Sequence, residues 1–198
     1  MPIERDRFQR IREKYWNVAS WAVWAEEGAT SKSNVGVLSV LDPSSNPVLL
    51  DELNPDVVFV GLNISRSVIT QPFANFHDAR PQSTDFKIRF ALKGTPFWGG
   101  YMTDVIKDFE EKTSGKLVTY LRQHPDFERE QVRLFLKELS DVTDVEPTLI
   151  AFGNAAHAIL TRNLSRTHRI AKVPHYAAYM SKELYRAKIQ CLPYPGVT

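Results

Sequence analysis

Three polar side chains in this chain each follow a short apolar run that reads as a strand, and each is of a type that works on a planar, polar ligand. Asn63 lies in Gly61-Leu62-Asn63-Ile64-Ser65, directly after Val57, Val58, Phe59 and Val60. An amide there can accept from a water and so orient it. Gly61 lets the backbone turn sharply beside a ligand, as it does equally in a plain turn. Asp104 follows Tyr101-Met102-Thr103, where a carboxylate either accepts from a ligand edge or caps a following helix. His175 stands in Val173-Pro174-His175-Tyr176. An imidazole titrates near neutrality and suits proton or hydrogen-bond work, although a lone histidine is more often structural.

The elements that must position these groups are legible as hydrophobic patterns. Residues 57–60 form a continuous β-branched and aromatic run, the mark of a central strand covered on both faces. Further strands are expected at 101–103, 148–152 and 170–173. Helices are expected at 104–112, at 127–139 with Val132, Phe135, Leu136 and Leu139 on one stripe, and at 154–164. Residues 177–188 read equally as a loop or as a final helix. At the amino end, Phe8, Ile11, Tyr15, Val18, Ala22 and Ala25 recur at helical spacing, which predicts a helix over 3–27 carrying Trp16, Trp21 and Trp24 as packing residues.

Strands alternating with helices imply an α/β fold, here a three-layer α/β/α arrangement around a central, mostly parallel four-stranded sheet. The chain reads as a single domain, 1–198, with 1–30 a helical extension packed on it. In such sheets ligands bind beyond the carboxyl ends of the strands, which puts Asn63, Asp104 and His175 around one crevice.

Composition narrows the classes. With 198 residues the chain can bury roughly two-thirds of its unfolded surface without a covalent staple. The single cysteine, Cys191, forms no internal disulfide, and no zinc-type spacing occurs. No metal and no cofactor are therefore expected, and the cytoplasm is the expected location. No apolar run approaches the ~20 residues of a membrane span. A formal charge of +2 is small, but between Arg162 and Lys188 seven Lys or Arg residues face one acid, Glu183. That unevenness fits either an anion-facing patch or a solvated helix face.

In order and spacing, the segments GLNIS, PFANFH, WGGYMTDVIK, PTLIAFGNAAHAIL and the final PHY resemble the uracil-DNA glycosylase superfamily, over residues 56–188. YMTDVIK and IAFGNAA are similar to its YxTNxxK and IxALGxxA patterns. The resemblance implies a monomeric base-excision N-glycosylase acting on a deaminated or modified, uracil-like base extruded from single- or double-stranded DNA. It implies catalytic roles for Asn63, which would hold the attacking water, and His175, which would stabilise the departing base. Gly61, Leu62 and Phe73 or Phe76 would line and floor the base pocket, and Asp104 would read the base edge. Ser65, Arg66, Tyr176, Lys182 and Arg186 would contact the nucleic acid, with Tyr176 or Tyr179 as a wedge.

Three features depart from the family pattern. Asp104 stands where an asparagine reads the base, and an ionised carboxylate offers acceptors alone. The last loop reads HYAAYMSKELYR in place of an HPS-type turn, and Asn63 has no proline after it. The alternatives are a nucleobase- or nucleic-acid-binding module of the same fold with weakened catalysis, or an enzyme on a free nucleoside. Asn75, His77 and Trp98 are lesser candidates for the pocket wall.

Overall fold

The computed structural model describes residues 3–64, 69–107, 109, 111 and 113–193. Its centre is β2 (Asn54–Asn63), in which Val57, Val58, Phe59 and Val60 are all fully buried. Val58 and Val60 enter one hydrophobic cluster while Val57 and Phe59 enter another, as the two-residue period of a strand requires. Each such side chain contributes roughly 1.5–3 kcal/mol by leaving water. β3 (Gly100–Ile106) and β4 (Thr148–Phe152) flank β2 in parallel, and β5 (Ile170–Val173) lies parallel beyond β4.

The first cluster takes most of its helical side chains from α1 (Arg5–Tyr15), α4 (Ser114–Gln123), α5 (Pro125–Val142) and α6 (Gly153–Leu164). The second takes them from α3 (Phe86–Leu92) and α7 (Lys182–Gln190). A short α2 (Leu49–Glu52) and a 3-10 turn at Leu38–Leu41 lead into β2.

The sheet has five strands in the order β1-β3-β2-β4-β5 and is mixed, where four mostly parallel strands were expected. The additional strand, β1 (Ala19–Trp21), runs antiparallel to β3 with Ser20 opposite Met102. It comes from the segment expected to be helical through residue 27. Residues 19–24 are buried without exception, so an amphipathic helix, which must show water one face, is excluded there. Trp16 is consequently a turn residue at the surface, whereas Trp21 and Trp24 are core. Likewise β3 runs on through Asp104 to Ile106, so Asp104 opens no helix and caps none. The first helix after β3 is α4, and the final helix starts at Lys182 rather than at 177.

One buried ionic network ties α5 to β3. The Glu138 carboxylate, almost fully buried, accepts from Tyr101 Oη and Thr103 Oγ1, both at 2.8 Å. Lys107 Nζ lies 2.6 Å from Glu138 Oε2, an ion contact of poor hydrogen-bond angle, and donates to the Asp104 main-chain oxygen at 2.6 Å. Removing the carboxylate leaves two buried hydroxyls without their acceptor and the largely buried Lys107 ammonium without its counter-charge. Glu138→Ala is expected to cost about 3–5 kcal/mol in urea unfolding, and Glu138→Gln, which keeps an acceptor for the hydroxyls, distinctly less. Equal losses in the two variants would show that the hydrogen bonds from the two hydroxyls contribute nothing beyond the lost charge pairing.

Candidate active site

The carboxyl ends of β3, β2, β4 and β5 form one edge, and the parallel register sets which side chains meet there. Gly61 pairs with Asp104 across β2 and β3, and Asn63 pairs with Ile106. A methyl group on Gly61 would sit 2.1 Å from Asp104 Oδ1 and 3.5 Å from Phe76 Cζ. The missing side chain is thus the space into which the carboxylate projects, with the Phe76 ring beside it.

Asp104 is 4 % exposed, and burial raises its pKa from the usual carboxylate range to about 6, with nearby Lys107 and the Asn75 bond pulling the other way. Among the described residues, Asn75 supplies the single side-chain donor to that carboxylate, at 3.1 Å to Oδ2, and the same nitrogen donates to Val18 O at 3.0 Å. Asn75 lies between Phe73 and Phe76, both held at positive φ (60° and 64°). Non-glycine residues keep that conformation only where their surroundings impose it. Here Phe73 N–H donates to Trp16 O at 2.7 Å, Ser20 Oγ donates to Phe73 O at 2.7 Å, and His77 Nε2 lies 3.3 Å from Trp21 O. The aromatic segment is therefore clamped along residues 16–21, and the clamp aims Asn75 at Asp104.

The two candidate phenylalanines separate cleanly. Phe73 packs on Phe8 at 5.7 Å in the core behind the sheet and has no place at the edge. Phe76 belongs to an aromatic wall with Phe152, at 6.1 Å, and Tyr176, at 6.3 Å, and Phe152 in turn stacks on Phe59. Leu62 is half-buried and packs into the first core cluster.

His175 continues that wall by stacking on Tyr176, 4.3 Å away at 25°. Its Cβ also lies against Gly153, which has φ +86° at the start of α6. One side of the residue stays open to solvent, but the packing desolvates the ring and lowers its pKa. Ala177 N–H donates to His175 Nδ1 at 3.1 Å. Nδ1 is therefore the unprotonated nitrogen, and a neutral ring carries its proton on Nε2. Asp104 and His175 stand on strands three positions apart, roughly 14 Å between backbones at ordinary strand spacing. Gly61, Phe76, Phe152 and Tyr176 occupy the interval.

Asn63 ends β2 with its amide nitrogen committed to Phe109 O and Glu111 O, both at 2.9 Å, and more weakly to Ile64 O at 3.3 Å. Those bonds fix the orientation of its carbonyl oxygen, the atom with which it can hold a water. Ser65 and Arg66 lie outside the described residues. Lys182 and Arg186 are not at this edge: Arg186 donates to the α3 carboxyl-terminal carbonyls of Phe90 and Lys93, and Lys182 sits 4.4 Å over the Phe90 ring. Both fasten α7 to α3, so the basic count between residues 162 and 188 overstates the free positive surface.

Asn75, Phe152 and Lys107 are the site residues that sequence reasoning undervalued or missed. Asn75 was legible only as one polar residue among aromatics, and neither Phe152 nor Lys107 carries a local signal. Among the described residues, no cluster of His, Cys, Asp or Glu can hold a metal ion, and no helix is long and apolar enough to cross a membrane. No protein-family model, no curated protein and no solved structure matches the chain.

Burial of Asp104 makes a pH-dependent prediction about stability. The unfolded chain ionises this carboxyl from an ordinary value of 3.8 while the folded chain resists until about 6. Stability is therefore lost as pH rises through that window, and above it the loss is on the order of 3 kcal/mol. Asp104→Asn keeps an acceptor for Asn75 and removes the charge. It is expected to stabilise the protein by roughly 1–3 kcal/mol at about pH 7.5 and by close to nothing near pH 3. Urea unfolding at both pH values measures this, and a variant less stable than the parent at neutral pH would contradict it.

Proposed function

We propose that this protein is a base-excision N-glycosylase of the uracil-DNA glycosylase kind, a monomeric three-layer α/β/α domain that hydrolyses the glycosidic bond of a deaminated or modified base in DNA. The observation that carries the reading is the bond from Ala177 N–H to His175 Nδ1. It leaves a neutral Nε2–H donor at a strand end, one side of an aromatic wall whose other side holds a buried carboxylate.

Glycosidic hydrolysis develops positive charge on the sugar and negative charge on the leaving base. The largest catalytic contribution available is a preorganised donor aimed at the base oxygen where that charge gathers. His175 Nε2–H is such a donor, and as a neutral group it need not surrender a proton to do this work. Water is held by the Asn63 carbonyl oxygen; its oxygen bonds to the anomeric carbon, the bond to the base nitrogen breaks with its electron pair leaving on the base, and the water proton passes to solvent. An amide orients water without deprotonating it, so the leaving base must be stabilised well. The extruded base stacks against Phe76, which offsets the few kcal/mol needed to unstack it.

Asp104 then decides which base is accepted. Ionised, it accepts from ring or exocyclic N–H groups; protonated, below about pH 6, it donates to a carbonyl. At neutral pH the site favours a base edge that presents donors, and uracil, whose O4 would face the carboxylate, is disfavoured.

Oligonucleotides containing uracil, hypoxanthine or xanthine, single- and double-stranded, test this after alkali treatment of the abasic product. Strand breaks are expected with at least one base. His175→Ala should reduce the single-turnover rate by roughly 10²–10³, as loss of one such donor does elsewhere, and Asn63→Ala should abolish detectable breakage. Oligonucleotide binding with no breaks at any pH would replace the enzyme with the binding-module reading.

The carboxylate's role has its own test. Asp104→Asn supplies an acceptor for N3–H together with a donor for O4, and it should raise uracil excision at about pH 7.5 by tenfold or more. The gap between variant and parent should narrow as pH falls below 6. A pH-independent ratio would remove Asp104 from base recognition.

A further inference from the structure

At the other end of the sheet, by the amino ends of β2 and β3, separate segments of the chain enclose a cleft of about 660 Å³. They are residues 23–26 after β1, residues from the turns between 39 and 46, Glu52 at the end of α2, and residues between 93 and 98 before β3. Gly99 holds them together. Its N–H donates to Ala22 O at 3.0 Å, and its carbonyl accepts from Asn54 N–H at 2.9 Å. A methyl group on it would sit 1.9 Å from Glu52 O, and its φ of +78° is one that glycine adopts without strain. Asp104 lies further along β3 by roughly 13 Å at ordinary strand spacing, so this cleft is separate from the candidate active site.

Two indoles of the lining form a corner. Trp24 and Trp98 stand 5.8 Å apart at 56°, Trp24 buried and Trp98 half-buried. Trp24 also packs on His77 at 4.8 Å, so the corner is fixed by packing before any ligand arrives. Trp98 Nε1–H donates to Glu52 Oε2 at a long 3.4 Å, which places a carboxylate at the edge of the ring. Among the described residues that indole is the only side chain bonded to the Glu52 carboxylate, and no cation pairs with it. The other carboxylate of the lining, Glu26, pairs with Lys93, but the two side chains are 83 % and 50 % exposed, and such a pair contributes little. Two carboxylates against one ammonium leave the lining negative, in a chain whose formal charge is +2. The face of an indole attracts a cation more strongly than any other side-chain ring does. A guanidinium or primary ammonium needs acceptors for its N–H groups, and one Glu52 oxygen already receives the indole proton. A quaternary ammonium has no N–H to satisfy and is held by ring faces and the field of a carboxylate.

We propose that this cleft binds a small organic cation bearing an alkylated ammonium group, seated against Trp98 and Trp24 beside the Glu52 carboxylate. Its volume falls within the roughly 300–1,000 Å³ of small-molecule sites, which favours a free ligand. Lys93 opposes the charge of that ligand and occupies Glu26, so the two exposed charges at positions 52 and 93 act on the site with opposite sign. The proposal does not rest on the glycosylase reading, because the cleft and the candidate active site lie at opposite ends of the same strands.

The test is an NMR titration of the full chain with choline and with its uncharged isostere, the alcohol in which carbon replaces the nitrogen. Choline should bind about tenfold more tightly than the isostere, with nuclear Overhauser contacts from its N-methyl protons to the Trp98 indole. Glu52→Gln, which keeps an acceptor for Trp98 Nε1, should weaken choline binding roughly two- to fivefold, and Lys93→Gln should strengthen it by a similar factor. Both side chains are exposed, so neither variant disturbs the core. Equal affinity for the isostere, charge variants that shift affinity in one direction or not at all, or no contact with Trp98 would each overturn the proposal. A peptide bearing trimethyl-lysine presents the same ammonium group; binding far tighter than that of choline would assign the cleft to a modified side chain of a partner and overturn the free ligand. No DNA enters these measurements, so a failed cleft leaves the glycosylase reading standing, and a protein inert on every modified base leaves the cleft standing.

Discussion

The geometry of the edge depends on one side-chain amide. Asn75 donates to Val18 O and to Asp104 Oδ2 from the same nitrogen, and so joins three segments that are distant in sequence: the turn before β1, the aromatic loop and the end of β3. Without that donor, the buried Asp104 carboxylate would lose its side-chain hydrogen bond and keep only the field of Lys107 to favour its charge, a cost that proteins normally avoid by moving or neutralising the group. With it, the carboxylate can remain in the space that Gly61 leaves open. The positive φ of Phe73 and Phe76 is the conformational cost of holding Asn75 there.

Two electrostatic devices lie back to back across β3. Behind the strand, Glu138 and Lys107 form a buried pair whose lysine also grips the Asp104 main chain. In front, the Asp104 side chain projects toward the aromatic wall. Lys107 keeps the carboxyl from rising further, while burial keeps it from behaving as an ordinary aspartate. A site arranged this way holds a carboxyl group close to the point of protonation, which is the condition under which it can serve as acceptor or donor according to pH.

The strands β4 and β5 and the helices α5 and α6 were readable because each carries a strong period with Gly or Pro at one end at least; the centre of β2 was readable from its buried run, but the strand continues through Gly61 to Asn63, where a break and a loop were expected. The amino-terminal segment misleads because apolar residues at helical spacing run on from α1 into a stretch buried on both sides, and spacing alone does not distinguish a buried helix from a short strand. Asp104 misleads for a related reason: an acidic residue after three strand-forming ones is a common helix cap, and only pairing with Gly61 shows that the strand continues. Lys182 and Arg186 illustrate the limit of counting charges, since a guanidinium satisfied by helix-end carbonyls adds little to the outer surface.

From its sequence alone this protein is an α/β chain with a buried parallel core and polar residues at strand ends, because burial pattern and strand order are written in local periodicity and turn residues. Which polar residues meet was decided by the tertiary structure. Phe76 rather than Phe73 reached the edge, Asn75 became the partner of Asp104, and Ala177 set the proton of His175, since each outcome depends on the register between segments far apart in the chain or on the fold of a single turn. Hydrophobic spacing constrains which face of an element is buried; it says nothing about which residue of another element lies opposite.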